Sequence, residues 1–353
     1  MPSLPHLEAV DREWLARAEA RQLSLTKPPG SLGRLEEIAN RVVAIQQTLT
    51  PNVDRARVVV FAADHGVTAE GVAPYPSAVT AQMVANFAAG GAAVNVLARV
   101  AGADVDVVNI GVTSNLDHVA GVRGCCVAPG TKNMVCEPAM TRQEVETAMA
   151  VGAEAAHDAI AAGVAMIGLG EMGIGNSTAA SAVTAALTSR SAASVTGRGT
   201  GADDAMLVRK IAVVEEALRR HRPDPADAID ILAKVGGLEI AGLTGLVLAA
   251  AAARRVIVTD GFIATSAAAL AVSMCPAARD YLFTAHRSTE PGHAVLLEFI
   301  GHEPLLDFKM RLGEGTGGAL AFMLIRAAVA TFTQMATFAS AGVSDRSDAS
   351  ETA

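Results

Sequence analysis

Aromatic residues are scarce in this chain: nine Phe, two Tyr and one Trp make up 3% of 353 residues. Surfaces that stack nucleobases need aromatic side chains, and a phosphate backbone calls for a basic balance. Here 28 Lys and Arg face 36 Asp and Glu, a formal net charge of −8. Nucleic acid is therefore not an expected partner. Charged residues total 18%, below the usual ~25%. Cysteine is limited to Cys125, Cys126, Cys136 and Cys275. No Cys-x-x-Cys pair and no His at zinc-finger spacing accompanies them, so reduced thiols and no metal site are expected. A membrane span needs ~20 apolar residues. The best run, Gly317 to Ala339, is interrupted by Arg326, so no span is expected. Residues Met1 to His6 have no basic segment leading into an apolar one. No signal peptide is expected, and the expected location is cytoplasmic. A Gly-x-Ser-x-Gly elbow, a Walker A loop and internal repeats are also missing.

What the chain has is hydrophobic residues at 51% and 32 glycines. Low charge with abundant small residues points to buried helices, close packing and surface covered by subunit contacts. Residues 7–22 and 31–48 read as helices separated by Thr26-Lys27-Pro28-Pro29-Gly30-Ser31, and Pro51 closes this preface. Short apolar runs follow at 58–63, 105–110, 164–169, 256–259 and 281–284. Ala-rich helical stretches separate most of them, at 77–101, 141–162, 176–188, 203–221, 238–253 and 262–274. Strands that are apolar throughout are buried on both faces, as in a parallel sheet covered by helices. The alternation predicts an open, doubly wound α/β sheet with right-handed crossovers. Ligands in such sheets bind beyond the carboxyl ends of strands. Those ends are Asp64-His65-Gly66, Gly170-Glu171, Asp260-Gly261 and Ala285-His286-Arg287. A helix over 316–338 is expected to return to the N-terminal helices.

Three glycine-rich segments could carry chemistry. Gly168-Leu169-Gly170-Glu171-Met172-Gly173-Ile174-Gly175-Asn176-Ser177-Thr178 follows a strand and opens a helix. It contains Gly-x-Gly-x-x-Gly, the dinucleotide fingerprint, but lacks the acid that should follow about 20 residues later. Glu171 inside the loop would also repel a pyrophosphate. The helix start at Asn176, Ser177 and Thr178 suits a phosphate or, equally, simple capping. Gly197-Arg198-Gly199-Thr200-Gly201-Ala202-Asp203-Asp204 lets backbone approach a ligand closely, or is a flexible turn. Asp203 can cap the next helix, which carries Lys210. In Arg311-Leu312-Gly313-Glu314-Gly315-Thr316-Gly317 a carboxylate is flanked by glycines beside an apolar helix. It could be a general base with a raised pKa, or an acid placed for a helix dipole. Asp64-His65-Gly66 lacks partners at metal-ligand spacing, and the polar stretch His286 to His293 reads as scaffold. The residues alone leave open a NAD(P)-dependent oxidoreductase and a non-catalytic nucleotide sensor. The missing ribose acid argues against the first, and Glu314 between glycines against the second.

Together these segments resemble one family. Lys27-Pro28-Pro29-Gly30-Ser31-Leu32-Gly33, Ala63-Asp64-His65-Gly66-Val67, Gly170 to Thr178, Lys234-Val235-Gly236-Gly237, Asp260-Gly261-Phe262 and Arg311 to Gly317 occur in order across about residues 20–338. In this the chain is similar to the nicotinate-nucleotide–dimethylbenzimidazole phosphoribosyltransferases, glycosyltransferases of cobalamin biosynthesis. The resemblance implies transfer of phosphoribose from nicotinate mononucleotide to 5,6-dimethylbenzimidazole, giving α-ribazole 5′-phosphate and nicotinate, with no cofactor. It implies a large Rossmann-like domain over 54–300, a small helical domain from 1–53 and 301–339, and a homodimer; 340–353 is expected to be a disordered tail. Glu314 then corresponds to the catalytic base and Glu171 to a second active-site glutamate. Lys210 and Asp260 correspond to binding positions, as do Gly173, Gly313 and Gly315. Phosphate is expected on Gly175, Asn176, Ser177 and Thr178, or on the backbone of Gly199, Thr200 and Gly201, with Lys210 as the one nearby cation. The base pocket is expected at Tyr75, Ser77, Gln82, Met83, Met172 and Leu312. Benzimidazole, adenine and phenolic acceptors all stay open.

Overall fold

A computed structural model describes residues 6–344. Helices α1 (Arg12–Ser24) and α2 (Arg34–Gln46) come first. Strand β1 (Ala56–Ala63), helices α3 (Ala78–Ala88) and α4 (Ala93–Ala101), and strands β2 (Ala103–Gly111) and β3 (Val122–Gly124) follow. Then come α5 (Arg142–Ala161), β4 (Met166–Met172), α6 (Asn176–Thr188), α7 (Ala192–Val195), α8 (Asp204–His221), α9 (Ala228–Val235) and α10 (Leu238–Ala252). The chain closes with β5 (Val256–Thr259), α11 (Phe262–Met274), β6 (Leu282–Thr284), α12 (Pro291–Ile300), α13 (Thr316–Gln334) and α14 (Phe338–Ala341).

All six strands are parallel, in the order β3-β2-β1-β4-β5-β6. The doubly wound prediction therefore holds. Val58 to Ala63 and Met166 to Leu169 are fully enclosed where they are apolar, because helices cover both faces. Helices α10 and α11 pack on one side, and α3, α4 and α13 on the other. Helix α13 is long and apolar enough to cross a membrane. Here it lies against β1, β4 and β5 on one side and α2 and α4 on the other. Its far end meets the preface where Leu25 bridges Thr337. We propose that 6–53 and 301–339 form the smaller helical unit, with α13 shared between it and the sheet; residues 1–5, also expected there, lie outside the described residues.

Several local readings change. The helix expected over 77–101 is two, broken at Gly90, whose φ of +77° ends α3. The stretch read as polar scaffold after His286 turns into α12 at Pro291, which is preorganised for a first helical position. Short α7, α9 and edge strand β3 were not foreseen. Ser340 and Ala341, expected in the tail, close α14, where the Thr337 side chain accepts from the Ser340 N–H; residues 345–353 lie outside the described residues. The dinucleotide fingerprint also dissolves. Gly168 and Gly170 lie inside β4, not in a loop after it. A Cβ on Gly168 would stand 3.0 Å from the Phe322 ring, and one on Gly170 would stand 2.7 Å from the Glu314 carbonyl. These glycines let α13 and the turn before it lie directly on the sheet.

Candidate active site

Strand order reverses between β1 and β4. The strands diverge there and open a crevice beyond their carboxyl ends. A cleft of about 340 Å³ occupies this position. Fourteen of the expected residues line it: Tyr75, Met83, Glu171, Met172, Gly173, Gly175, Asn176, Ser177, Gly199, Thr200, Lys210, Leu312, Gly313 and Glu314. Thr178, Asp260 and Gly315 are buried behind its wall, and Gly201 lies outside it. Ser77 and Gln82 do not reach it: both are exposed on or beside α3. Thr80, Val84 and Phe87 turn that helix's buried face inward. At helical spacing Gln82 projects from the opposite face.

Glu314 sits in an unusual turn. Gly313, Glu314 and Gly315 have φ of +88°, +65° and +90°. Left-handed backbone costs a side-chain-bearing residue energy, so Glu314 is held there by its surroundings. Asp260 supplies the hold, accepting from the Gly315 N–H at 3.0 Å and the Gly317 N–H at 2.7 Å. It thereby satisfies donors at the start of α13. His286 Nε2 lies 3.3 Å from Asp260 Oδ1, the oxygen that also accepts from the Gly317 N–H. Burial opposes the charged form of His286, but the bond and charge of Asp260 prevail and its pKa rises. The Glu314 carboxyl is buried, and its Oε2 has no partner among the described residues. Burial raises its pKa, against the opposing effect of the Val94 N–H in α4.

Glu171 faces this turn from the end of β4. A Cβ on Gly313 would lie 2.3 Å from Glu171 Oε1, so only glycine admits the carboxylate there. The Asn176 side-chain amide donates to Oε2 at 2.5 Å. Burial first, then the charge of Asp260, push the Glu171 pKa up to about 8. One carboxyl thus holds its proton near neutrality while another, close by, has a free oxygen.

On the opposite rim, Gly175 caps α6 with φ of +94°. Lys210 is fully buried, against expectation for a lysine two turns into a helix. Its ammonium donates to Ser177 Oγ at 3.1 Å and to the Gly197 carbonyl at 3.0 Å. Burial lowers its pKa, which the charge of Glu290 partly restores. Lys210 is not the one cation here, since Arg198 and Arg311 also line the cleft. The Gly199–Gly201 backbone is largely committed as well. The Gly199 N–H donates to Glu290 Oε1 at 2.8 Å, and the Gly201 N–H to the Arg198 carbonyl at 3.1 Å. Sequence reasoning missed the cleft roles of Arg198, Arg311, His286, Ser288 and Glu290. Their position just past β6 or beside a glycine cluster was the available signal.

The remaining matched motifs stand behind the site. His65 Nε2 lies 2.8 Å from Glu239 Oε1, both buried. A Cβ on Gly173 would meet the His65 ring at 3.2 Å, and one on Gly237 would meet it at 2.5 Å. This pair braces the loop after β4. Lys27 pairs with Glu36 at 2.8 Å within the terminal helices. Among the described residues no three His, Cys, Asp or Glu converge as metal ligands would.

The same chain can be compared with known proteins. A family model described as "Phosphoribosyltransferase" matches residues 7–343. The nicotinate-nucleotide–dimethylbenzimidazole phosphoribosyltransferase of Geobacter metallireducens is 53% identical over 341 residues, covering 97% of each chain. That of Chloroflexus aggregans is 51% identical over 347 residues, covering 98% of each. The crystal structure of the Thermus thermophilus enzyme of that name superposes with a TM-score of 0.90 at 46% identity, covering 95% of this chain and 99% of that one. The family model spans residues 7–343, and the two relatives are 53% and 51% identical over nearly the full length of both chains: the chain belongs to the nicotinate-nucleotide–dimethylbenzimidazole phosphoribosyltransferase family.

Proposed function

We propose that this cleft carries out the reaction named for the chain's relatives. Phosphoribose passes from nicotinate mononucleotide to 5,6-dimethylbenzimidazole, giving α-ribazole 5′-phosphate and nicotinate, for the nucleotide loop of cobalamin. The chain is a phosphoribosyltransferase. The observation that carries the reading is Glu314: a buried carboxyl with one unpartnered oxygen, at the cleft wall, on a turn fixed by Asp260.

Nicotinate leaves from a pyridinium, so its departure needs no strong acid. The attacking imidazole nitrogen gains positive charge as the bond to the ribose forms, and the other nitrogen must shed its proton. Glu314 Oε2 is suited to accept that proton. Burial strengthens it as a base by raising its pKa. Glu171, with a pKa near 8, remains protonated at neutral pH. It adds no second negative charge beside Glu314 and can donate a hydrogen bond within the site. Lys210, Ser177 and the start of α6 form the phosphate end, assisted by Arg198. Tyr75, Met83, Met172 and Leu312 give the base end its apolar walls.

Tyr75 and Leu312 are both about half exposed at the cleft mouth, which supports a homodimer in which a second subunit covers them. We assign the protein to the cytoplasm. Incubation with nicotinate mononucleotide and a panel of bases, followed by mass spectrometry, tests the function. α-Ribazole 5′-phosphate with equimolar nicotinate is expected. Absence of both products overturns the reading. Light scattering tests the dimer.

A further inference from the structure

The two halves of the cleft belong to loops far apart in sequence, and one residue ties them together. Gly199 is held at every polar atom of its backbone. Its N–H donates to Glu290 Oε1 at 2.8 Å, and its carbonyl accepts from Arg311 Nη1 at 3.0 Å. Its α-carbon faces the phosphate end: a Cβ there would lie 3.0 Å from Ser177 Oγ and 3.3 Å from Lys210 Nζ. Arg311, in turn, starts the segment that leads into the Glu314 turn. That turn is fixed on its C-terminal side by two bonds to Asp260. On its N-terminal side the Gly313 carbonyl accepts from the Thr316 N–H at 3.1 Å and Thr316 Oγ1 at 2.8 Å, bonds internal to the turn, and the nearest backbone tie to another segment is the long 3.4 Å bond from the Thr289 N–H to the Met310 carbonyl. The Arg311–Gly199 bond is the stronger anchor of that arm. Arg311 has no carboxylate partner within ion-pair distance among the described residues, so its guanidinium is not neutralised elsewhere.

We propose that Arg311 is a positioning residue that couples the donor half of the cleft to the general base. Donor seated against Gly199, Ser177 and Lys210 fixes the Gly199 carbonyl. That carbonyl fixes Arg311, and Arg311 sets the N-terminal arm of the Glu314 turn. Donor binding thereby tightens a turn that Asp260 already holds from its other side, and the acceptor meets a better-ordered base when the donor is in place. The two substrates bind synergistically, and by linkage each strengthens the other by the same factor. The inference rests on the function assigned above.

Ribose 5-phosphate carries the donor's phosphate and sugar without its leaving group, so it probes the coupling without turnover. The dissociation constant of 5,6-dimethylbenzimidazole is measured by calorimetry with and without saturating ribose 5-phosphate, on wild type, Arg311→Met and Arg311→Lys. Wild type is expected to bind the base several-fold more tightly with the sugar phosphate present. In Arg311→Met that factor falls to about one and kcat drops about tenfold, while the KM for nicotinate mononucleotide moves less than threefold. Lysine keeps the charge but loses the planar fork, so Arg311→Lys restores the coupling only in part. The opposite split, a large rise in donor KM that lysine repairs with kcat unchanged, would make Arg311 a phosphate ligand and overturn the proposal. An unchanged coupling factor in Arg311→Met, or none in an active wild type, overturns it equally. Wild-type turnover is measured first: its absence overturns the assigned function and this inference together, whereas turnover without coupling overturns this inference alone.

Discussion

At the crossing of α5 and α10, a Cβ on Gly152 would stand 1.8 Å from the Gly242 carbonyl oxygen, and one on Gly245 would stand 2.0 Å from that of Met149. These glycines have ordinary backbone angles; what they lack is room. At the Glu314 turn, Gly313 and Gly315 also lack room, but their φ values near +90° add a second demand that the crossing does not make. The crossing spends its glycines on contact between two helices. The turn uses them to hold a carboxyl in strained backbone, with an oxygen unpartnered. Close packing at the back of the sheet stabilises; the same residue type at the front keeps a destabilised group in place. The difference suggests that substitutions at the two places separate stability from turnover.

The largest expected effect removes the chemistry and leaves the packing. Glu314→Gln should fold and bind both substrates while kcat falls ~10²–10⁴-fold, the usual loss for a general base. Wild-type kcat in this variant would end the assignment. Next, Gly313→Ala places a Cβ in left-handed backbone, at a cost of roughly 1–2 kcal/mol, and against Glu171. That strain lowers the stability of the folded state, so a modest fall in melting temperature is expected, but the displaced Glu171 and Glu314 turn belong to the cleft, so kcat should fall further, on the order of tenfold or more. A melt that collapses while kcat holds would erase the distinction between the two regions. The converse variant is Gly245→Ala. Overpacking should cost ~1–3 kcal/mol of stability, seen as a lower urea midpoint, with kcat per folded molecule unchanged.

The smallest expected effect on turnover is a matter of pH and stability. Folded Glu171 keeps its proton up to about 8, whereas the ordinary carboxyl value is 4.5. Between these values the folded state binds more protons than the unfolded state, so its share of stability falls as pH rises and levels off above about 8. Glu171→Gln cannot ionise and should gain on wild type across that window. Urea unfolding at the two ends of the window checks the sign; a gap that stays constant with pH would mean Glu171 is not held protonated by its burial.

How much of this could be read from the chain follows from what each residue reports locally. Val58 to Phe61 and Val256 to Thr259 declare buried parallel strands by composition alone, and the sheet is where they predicted it. Glu314 was legible because a carboxylate between glycines is costly for no structural gain. Gly168 and Gly170 misled, because a glycine that admits α13 to a strand looks the same in sequence as one that admits a phosphate to a loop. Arg311 was invisible as a cross-cleft tie, since its acceptor, the Gly199 carbonyl, carries no side-chain signature and lies 112 positions away. Gln82 was misplaced because a segment that lines a pocket does so with only one face of its helix.

The Glu314 turn lies on Val58 and Gly170, strand residues made much earlier in the chain. At ~5–20 residues per second of synthesis, β1 waits roughly ten seconds to a minute for the turn that covers it. During that interval the nascent sheet exposes the glycine stripe of β4 that α13 will later fill. Helix α13 also joins α2 near the chain start, so the last long helix closes the first-made part of the protein and the cleft in one event. A chain released before that helix emerges would carry Glu171, Lys210 and Asp260 without the base they serve. Activity during translation should therefore appear only after α13 has emerged.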